Sequence, residues 1–102
     1  VGHTLVIPKN HSKNITEMTD SDLKNCMLII RKISPDIMKA VDATGFNIKM
    51  NNFESAGQVI KHSHFHILPR NKEDNIPSLR QGKYKEGQIK SIQNKILKEL
   101  EK

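Results

Sequence analysis

The chain has 102 residues and carries 17 Lys and Arg residues against 11 Asp and Glu residues, a formal net charge of +6. This length supports one hydrophobic core and excludes a multi-domain architecture. The positive charge favours anionic or phosphorylated partners in general. Because its uncharged apolar runs reach only about five residues, we expect neither a membrane-spanning helix, which needs roughly 20, nor a signal peptide.

The single cysteine, Cys26, lies within the apolar run of residues 26–30. A lone cysteine forms no internal disulfide, and in an apolar run it is typical of a small buried hydrophobic residue. This cysteine usage favours a cytoplasmic protein.

Three strands are predicted. Residues 4–7 are β-branched or apolar and stop at Pro8, which indicates a buried strand. Apolar and polar residues alternate over 46–51, which predicts a half-buried strand. Residues 59–68 predict a third strand, closed by Pro69.

A long helix is predicted between the first two strands. Thr19 or Asp20 can cap its start, and Gly45 is expected to end it. Because proline lacks an N–H and presses on the preceding turn, a kink or break is expected at Pro35. Apolar residues recur along this helix every three or four positions, at Leu23, Met27, Ile30, Ile33, Ile37 and Val41.

The rest of the chain predicts a solvated loop over 69–88 and a C-terminal amphipathic helix. The apolar face of that helix is formed by Ile89, Ile92, Ile96 and Leu100, with lysines on its outer face. The order β, α, β, β, α predicts an α+β domain with an antiparallel sheet.

Three of the five histidines share one face of the third predicted strand. His62, His64 and His66 alternate with Ser63, Phe65 and Ile67, which places successive histidines about 6.6 Å apart. Imidazoles in this pattern can bind a metal, shuttle protons or attack phosphorus through a neutral ring nitrogen. His3 and His11 are available elsewhere as metal ligands, but no carboxylate or thiol flanks the three histidines at ligand spacing.

Residues just before the histidines favour phosphoryl chemistry. The segment Ala56-Gly57-Gln58 supplies small residues where a phosphate could approach backbone N–H groups, and Asn51 offers an amide for a phosphate oxygen. The combined pattern, with Pro-Arg after the histidines, is more specific than any of its parts.

The sequence resembles the histidine-triad (HIT) superfamily of nucleotide hydrolases and transferases, in particular its small Hint-like and bacterial members. The matching segments are GHTLVIPKNH at 2–11, GFNIKMNN at 45–52 and AGQVIKHSHFHILPR at 56–70. The resemblance implies one HIT domain over 1–102, with an antiparallel sheet, one long helix and a C-terminal helix. It also implies a homodimer that binds a purine nucleotide, with the long helix and the 46–51 edge at the interface, centred on Leu23, Met27 and Ile30.

The resemblance further implies a role for each site residue. His64 corresponds to the nucleophile that attacks the α-phosphorus and forms a nucleotidyl-histidine intermediate. His66 corresponds to a donor to phosphate oxygens, His62 to a supporting proton partner and His3 to a histidine behind them. The phosphate-binding positions are Asn51, Gly57, Gln58 and Val59. No cofactor is required by this chemistry.

The sequence departs from the family pattern in three places. Phe53 stands where the family usually has a small residue, and Val59 where a hydroxyl often contacts phosphate. The family's N-terminal helix and first strand pair, which hold ribose and base, are expected to precede Val1 and to be missing. Some bacterial relatives bind a structural zinc through two upstream cysteines and histidines matching His11 and His62, so here at most half of that site is expected.

Two other functional classes remain as alternatives. A non-catalytic or weakly catalytic purine-nucleotide-binding protein would share the same motif. Nucleic-acid binding fits the charge, but the four aromatic residues form no stacking series within a basic stretch. The substrate stays open among a nucleoside phosphoramidate, an aminoacyl adenylate and a dinucleoside polyphosphate.

Overall fold

The structure, a computed structural model, describes residues 1–74 and 83–101. These contain strands β1 (Thr4–Val6), β2 (Gly45–Lys49) and β3 (Phe65–Arg70), and helices α1 (Asp20–Ala40) and α2 (Gln88–Leu100). Two short 3₁₀ turns lie at Ile15–Glu17 and Glu54–Ala56. The predicted α+β class, with an antiparallel sheet, one long helix and a C-terminal helix, is confirmed.

β3 is the central strand of the three-stranded sheet, and both of its neighbours run antiparallel to it. His66 pairs with Leu5 on one side and with Lys49 on the other. Directly opposed residues point to the same face of a sheet. The side chains of His66, Leu5 and Lys49 therefore share one face, and those of Phe65, Ile67 and Val6 share the other.

The third strand is shorter and later than predicted. It begins at Phe65 instead of residue 59, because the preceding segment bonds to a loop: the Ser63 N–H donates to the Ser12 carbonyl at 2.7 Å. It also continues through Pro69, which pairs with Phe46. Beyond Ile67 only β2 pairs with β3 in the described residues, so the missing N–H of Pro69 breaks no two-sided ladder.

β2 is an edge strand and is more exposed than predicted. It covers Gly45–Lys49, and the side chains of Phe46 and Ile48 are 37% and 50% exposed. Period-two alternation identified the strand correctly, but alternation cannot tell a central strand from an edge strand. The expected half-buried face is therefore wrong for this single chain.

α1 starts where the sequence indicated and runs unbroken through Pro35. The Thr19 hydroxyl oxygen accepts the Asp22 N–H at 3.1 Å, which makes Thr19 the cap. Proline frees the carbonyl four residues earlier, that of Arg31, which is an exposed residue and open to water. The expected break is therefore wrong. The helix ends at Ala40, well before Gly45.

The core lies between α1 and one face of the sheet. Its helical side is centred on Cys26 and Ile30, whereas Met27, which the periodicity placed on the same stripe, is 42% exposed. The buried hydrophobic residues are Val6, Met18, Cys26, Ile30, Phe65 and Ile67. As predicted, Cys26 is a buried thiol, and burial followed by the Asp22 carboxylate raises its pKa.

α2 confirms the predicted amphipathic C-terminal helix, but none of its residues is buried. Its apolar side is exposed at Ile89, Ile92, Ile96, Leu97 and Leu100. Neither helix in the described ranges is long and apolar enough to cross a membrane. Of the loop predicted over 69–88, Pro69 and Arg70 belong to β3, and residues 75–82 lie outside the described residues.

Candidate active site

The ring of His64 is fixed in one tautomer by the backbone. Its Nδ1 lies 2.8 Å from the carbonyl oxygen of His62. A carbonyl oxygen only accepts hydrogen bonds, so Nδ1 must carry the proton. In the neutral ring the lone pair is then on Nε2, which is the form that a nucleophilic histidine needs.

His66 lies beside His64 and is backed by His3. The ring centroids of His64 and His66 are 4.9 Å apart at an interplanar angle of 69°. Nδ1 of His66 and Nε2 of His3 are 2.7 Å apart, so one of these nitrogens donates to the other. The other nitrogen of His66, Nε2, is buried without a hydrogen-bond partner in the described residues. A buried polar atom left without a partner is costly, which marks Nε2 as available to a ligand.

The His66 ring is biased toward its neutral form. Burial lowers the pKa of His66, and the nearby His64, His3 and Lys49 lower it further. Lys49 reaches this position because β2 places it directly opposite His66. At neutral pH the ring therefore carries one proton.

The His62 ring belongs to a second pair. It meets His11, with the two Nδ1 atoms 3.2 Å apart and the ring centroids 5.0 Å apart. The three histidines of the motif therefore do not form one row of rings: His64 and His66 continue to His3, while His62 turns to His11. The connection between the two groups is the His62 carbonyl under His64.

Two buried serines hold the segments that carry these histidines. The Ser12 hydroxyl donates to the Ser63 hydroxyl at 2.7 Å, and the Ser63 hydroxyl donates to the Ser12 carbonyl at 3.2 Å. Both residues are almost fully buried. Ser12 follows His11 and Ser63 follows His62, so this contact brings the two rings together. Sequence reasoning missed this role, and Ser63 between histidines was its only visible signal.

Gln58 holds the loop before the histidines from inside. Its side-chain amide donates to the carbonyls of Lys13 and Ile60, and its Oε1 accepts the Phe53 N–H at 2.8 Å. Only 9% of the residue is exposed. Gln58 is expected near phosphate through its backbone, and its side chain shapes the loop that carries that backbone.

Of the backbone groups expected at the phosphate, one remains available. The N–H of Gly57 donates to the Glu54 carbonyl and that of Gln58 to the Phe53 carbonyl. The N–H of Val59 has no partner in the described ranges. Asn51 contacts the same loop at Gly57, with its Nδ2 3.5 Å from the Gly57 carbonyl, a long and weak hydrogen bond.

Gly57 is required for its backbone conformation. Its φ is +90°, in the region that glycine alone adopts without strain, whereas a Cβ there would meet only the Asn51 amide at ordinary contact distance.

Few of the described side chains are placed where they could bind a metal ion together. Within residues 1–74 and 83–101, no three His, Cys, Asp or Glu side chains come together where they could hold a metal ion. The His11 and His62 pair supplies two nitrogens, half of the four ligands that a structural zinc takes.

Comparisons with known proteins identify the family of this chain. The HIT domain family model matches residues 1–73. The chain belongs to the HIT family. An uncharacterized HIT-like protein of Saccharolobus solfataricus is 44% identical over 73 residues, covering 72% of this chain and 52% of that protein. The protein hit of Bacillus subtilis is 38% identical over 103 residues, covering 97% of this chain and 71% of that protein.

A solved structure shares the fold. The crystal structure of SMU.412c from Streptococcus mutans matches with a TM-score of 0.82 at 39% identity and covers 97% of this chain and 64% of that one. The chain thus spans between about half and three quarters of the length of these relatives.

Three further relatives bear enzyme names. They are an adenylylsulfatase of Arabidopsis thaliana at 41% identity, an adenosine 5′-monophosphoramidase of Schizosaccharomyces pombe at 34% and an asymmetrical bis(5′-nucleosyl)-tetraphosphatase of the same yeast at 37%. Each matches over 73 residues and covers 72% of this chain, but only 37%, 52% and 40% of those proteins, in that order.

Proposed function

We propose that this HIT protein is a nucleotide hydrolase or transferase that acts at an α-phosphorus through a nucleotidyl-histidine intermediate on His64. The observation that carries the proposal is the tautomer of His64, whose Nδ1–H donates to a backbone carbonyl and leaves the Nε2 lone pair for attack. The enzyme names of the three relatives support a nucleotide substrate and a hydrolytic reaction.

The reaction has two steps. Nε2 of His64 forms a bond to the α-phosphorus, while the bond from phosphorus to the leaving group breaks and the leaving group takes the electron pair. The oxygen of water or of another acceptor then forms a bond to the same phosphorus and loses its proton to solvent. The bond from phosphorus to Nε2 breaks with its electron pair going to the ring, which releases the nucleotide and restores the imidazole. Splitting one displacement into two through a covalent intermediate is the advantage of a nucleophilic side chain.

His66, supported by His3, stabilises the negative charge that develops on the phosphate oxygens. When the Nε2–H of His3 donates to Nδ1 of His66, the proton of neutral His66 lies on its Nε2. That nitrogen, which has no partner among the described residues, then donates to a phosphate oxygen. The Val59 N–H and the Asn51 amide supply further donors, while Gln58 holds the loop that presents them.

A trapping experiment tests the proposal. The protein is mixed with diadenosine tetraphosphate labelled at the α-phosphorus, quenched within milliseconds and digested, and the labelled peptide is sequenced by mass spectrometry. We expect the nucleotidyl group on His64. A protein that binds the nucleotide and hydrolyses none of it would instead be the non-catalytic purine-nucleotide-binding alternative.

We also propose that the reaction requires no metal. Since Nε2 of His64 attacks phosphorus directly, a metal on that nitrogen would block it. Hydrolysis by protein dialysed against a chelator should keep its rate within twofold of the untreated protein. A rate that disappears on chelation and returns with zinc would contradict this prediction.

We further propose a symmetric homodimer, with a smaller interface than the sequence suggested. Ile30, expected at the interface, is 2% exposed and belongs to the core of its own chain. Leu23, also expected there, is half-buried and packs against the same core. What remains is the exposed side chain of Met27 and the edge of β2, with Phe46 and Ile48, that no other described strand pairs with. An exposed apolar edge strand is stabilised when a second copy pairs with it, and two-fold symmetry closes such an assembly.

Sedimentation at micromolar concentration measures the assembly. We expect a dimer for the unmodified protein and a monomer for Ile48→Lys, because the substitution places a charge in the paired edge. Ile60→Lys, at a similarly exposed position in the loop before β3, is the matched control and should leave the dimer intact. Equal dimer content in both variants would exclude the β2 edge as the interface.

A further inference from the structure

Phe53 adopts a backbone conformation that is normally reserved for glycine. Its φ is 70° and its ψ is 158°, a region that side chains avoid for steric reasons. The ring does not compensate by burial, since 58% of the residue is exposed. A strained backbone conformation at an exposed aromatic residue beside a site suggests that the ring contacts a ligand.

The strained conformation is held firmly. The Phe53 N–H donates to Oε1 of Gln58 at 2.8 Å, and the Gln58 N–H returns to the Phe53 carbonyl at 3.1 Å. Gln58 is nearly buried and is tied to Lys13 and Ile60 by its amide nitrogen. The backbone position from which the ring projects is therefore determined by the same loop that presents the Val59 N–H.

The ring lines a cavity that begins at this loop. The cavity has a volume of about 650 Å³ and is bounded on one side by residues 57–59. This size lies within the range of small-molecule sites, roughly 300–1,000 Å³. Phe53 and Val59 give it apolar walls, and the charged side chains along it are Lys13, Lys61, Glu17 and Glu54. We call it the Phe53 pocket.

We propose that the Phe53 pocket binds the leaving group of the reaction and that this leaving group is a nucleoside polyphosphate, the part of a dinucleoside polyphosphate that departs when the α-phosphorus and its nucleoside stay on His64. This inference rests on the proposed function, because it requires the α-phosphorus to react at His64. When the bond between the α-phosphorus and its bridging oxygen breaks, the nucleoside polyphosphate departs with that oxygen and its electron pair.

Each part of such a leaving group has a matching part of the pocket. The base stacks on the exposed face of Phe53, since any nucleobase offers a π-face to an aromatic side chain. The ammonium groups of Lys13 and Lys61 balance the charge of the bridging phosphates. Oε1 of Glu17 already accepts the Lys13 N–H at 3.2 Å, so the Glu54 carboxylate and the other oxygen of Glu17 accept hydrogen bonds from sugar hydroxyls.

A leaving group without a ring makes none of these contacts. Ammonia, released from a nucleoside phosphoramidate, is too small to extend from the phosphate loop to Phe53. The pocket therefore raises the rate for dinucleoside polyphosphates and leaves the rate for the phosphoramidate nearly unaffected. Comparing the two substrates therefore distinguishes the contribution of the pocket from that of the residues that act on both substrates at the α-phosphorus.

The test compares kcat/KM for diadenosine tetraphosphate and for adenosine 5′-phosphoramidate in the unmodified protein, Phe53→Gly and Phe53→Ala. Loss of one stacked base should lower kcat/KM for the dinucleotide about 10-fold in both variants. The phosphoramidate should lose less than about twofold. Glycine relieves the backbone strain whereas alanine keeps it, so a loss shared by both variants is due to the ring.

Further variants test the charge of the pocket and the location of the aromatic ring. Lys61→Met should reduce kcat/KM for the dinucleotide several-fold, while Lys24→Met, at an exposed position of α1, is its matched control. Tyr84→Ala removes an exposed aromatic ring far along the chain and controls for Phe53→Ala.

The possible results distinguish a failure of the Phe53 pocket from a failure of the proposed reaction at His64. Equal losses on both substrates, or no loss on either, would overturn the Phe53 pocket while hydrolysis at His64 stands. If the unmodified protein labels at His64 with neither substrate, the proposed function itself fails.

Discussion

His64→Gly should lower kcat by at least about 10³-fold while nucleotide affinity changes only a few-fold. The nucleophile is needed in the chemical step, and removing it leaves the groups that bind the phosphate in place. Turnover is measured with diadenosine tetraphosphate, affinity by titration calorimetry with adenosine monophosphate, and nucleotidylation by the trapping experiment. We expect no labelled peptide from the variant.

The matched control is His11→Asn. His11 contacts His62 but lies outside the group formed by His64, His66 and His3. Its loss should reduce kcat by far less than the loss of His64. A His64→Gly protein that turns over at the rate of the unmodified chain would show that another residue attacks phosphorus.

The alternation of the histidine segment could be predicted from the sequence. Residues 63, 65 and 67 are buried, and the histidines between them are partly exposed, as the period of two required. The alternation extends beyond the hydrogen-bonded strand, which begins only at Phe65. Burial on one side is set by the local pattern, whereas strand pairing depends on a partner elsewhere in the chain.

The division of the histidines into two groups could not be predicted in this way. His11 and His62 are 51 residues apart, and His3 and His66 are 63 apart. Their contacts depend on the register of β1 against β3 and on the buried pair of Ser12 and Ser63. Spacing within one segment carries no information about which distant ring meets which histidine.

The same reasoning explains the role of Gln58. The motif placed this residue beside the phosphate, and the structure places it beside the loop but with its amide directed inward. A sequence motif identifies a segment near the chemistry without showing which of its atoms face the ligand. The orientation follows from partners at Phe53 and Ile60 in the same segment and at Lys13, which is 45 residues away in the sequence.

His66→Ala should lower kcat by about 10²–10³-fold, the effect of removing one preorganised donor to a developing oxyanion. The loss should be smaller than that of His64→Gly, because the covalent intermediate can still form. Labelled peptide should therefore remain detectable in the trapping experiment. A loss as complete as that of His64, with no labelled intermediate, would mean that His66 has another role.

His66 should also influence how the free energy of unfolding depends on pH. Burial, then His64, His3 and Lys49, lowers the pKa of His66 in the folded protein below its ordinary value of about 6.5. The ring therefore stays neutral, with its proton in place for a phosphate oxygen, as the pH falls below that value. In the unfolded chain the same ring takes up a second proton near pH 6.5, so its contribution to the free energy of unfolding decreases as the pH falls from there through the lowered pKa.

We expect an NMR titration of the His66 ring in the folded protein to give a midpoint below 6.5. We also expect the free energy of unfolding, measured with urea, to fall less steeply between pH 7 and 5 in His66→Ala than in the unmodified protein. A midpoint at or above 6.5 would show that burial, His64, His3 and Lys49 do not hold His66 in its neutral form.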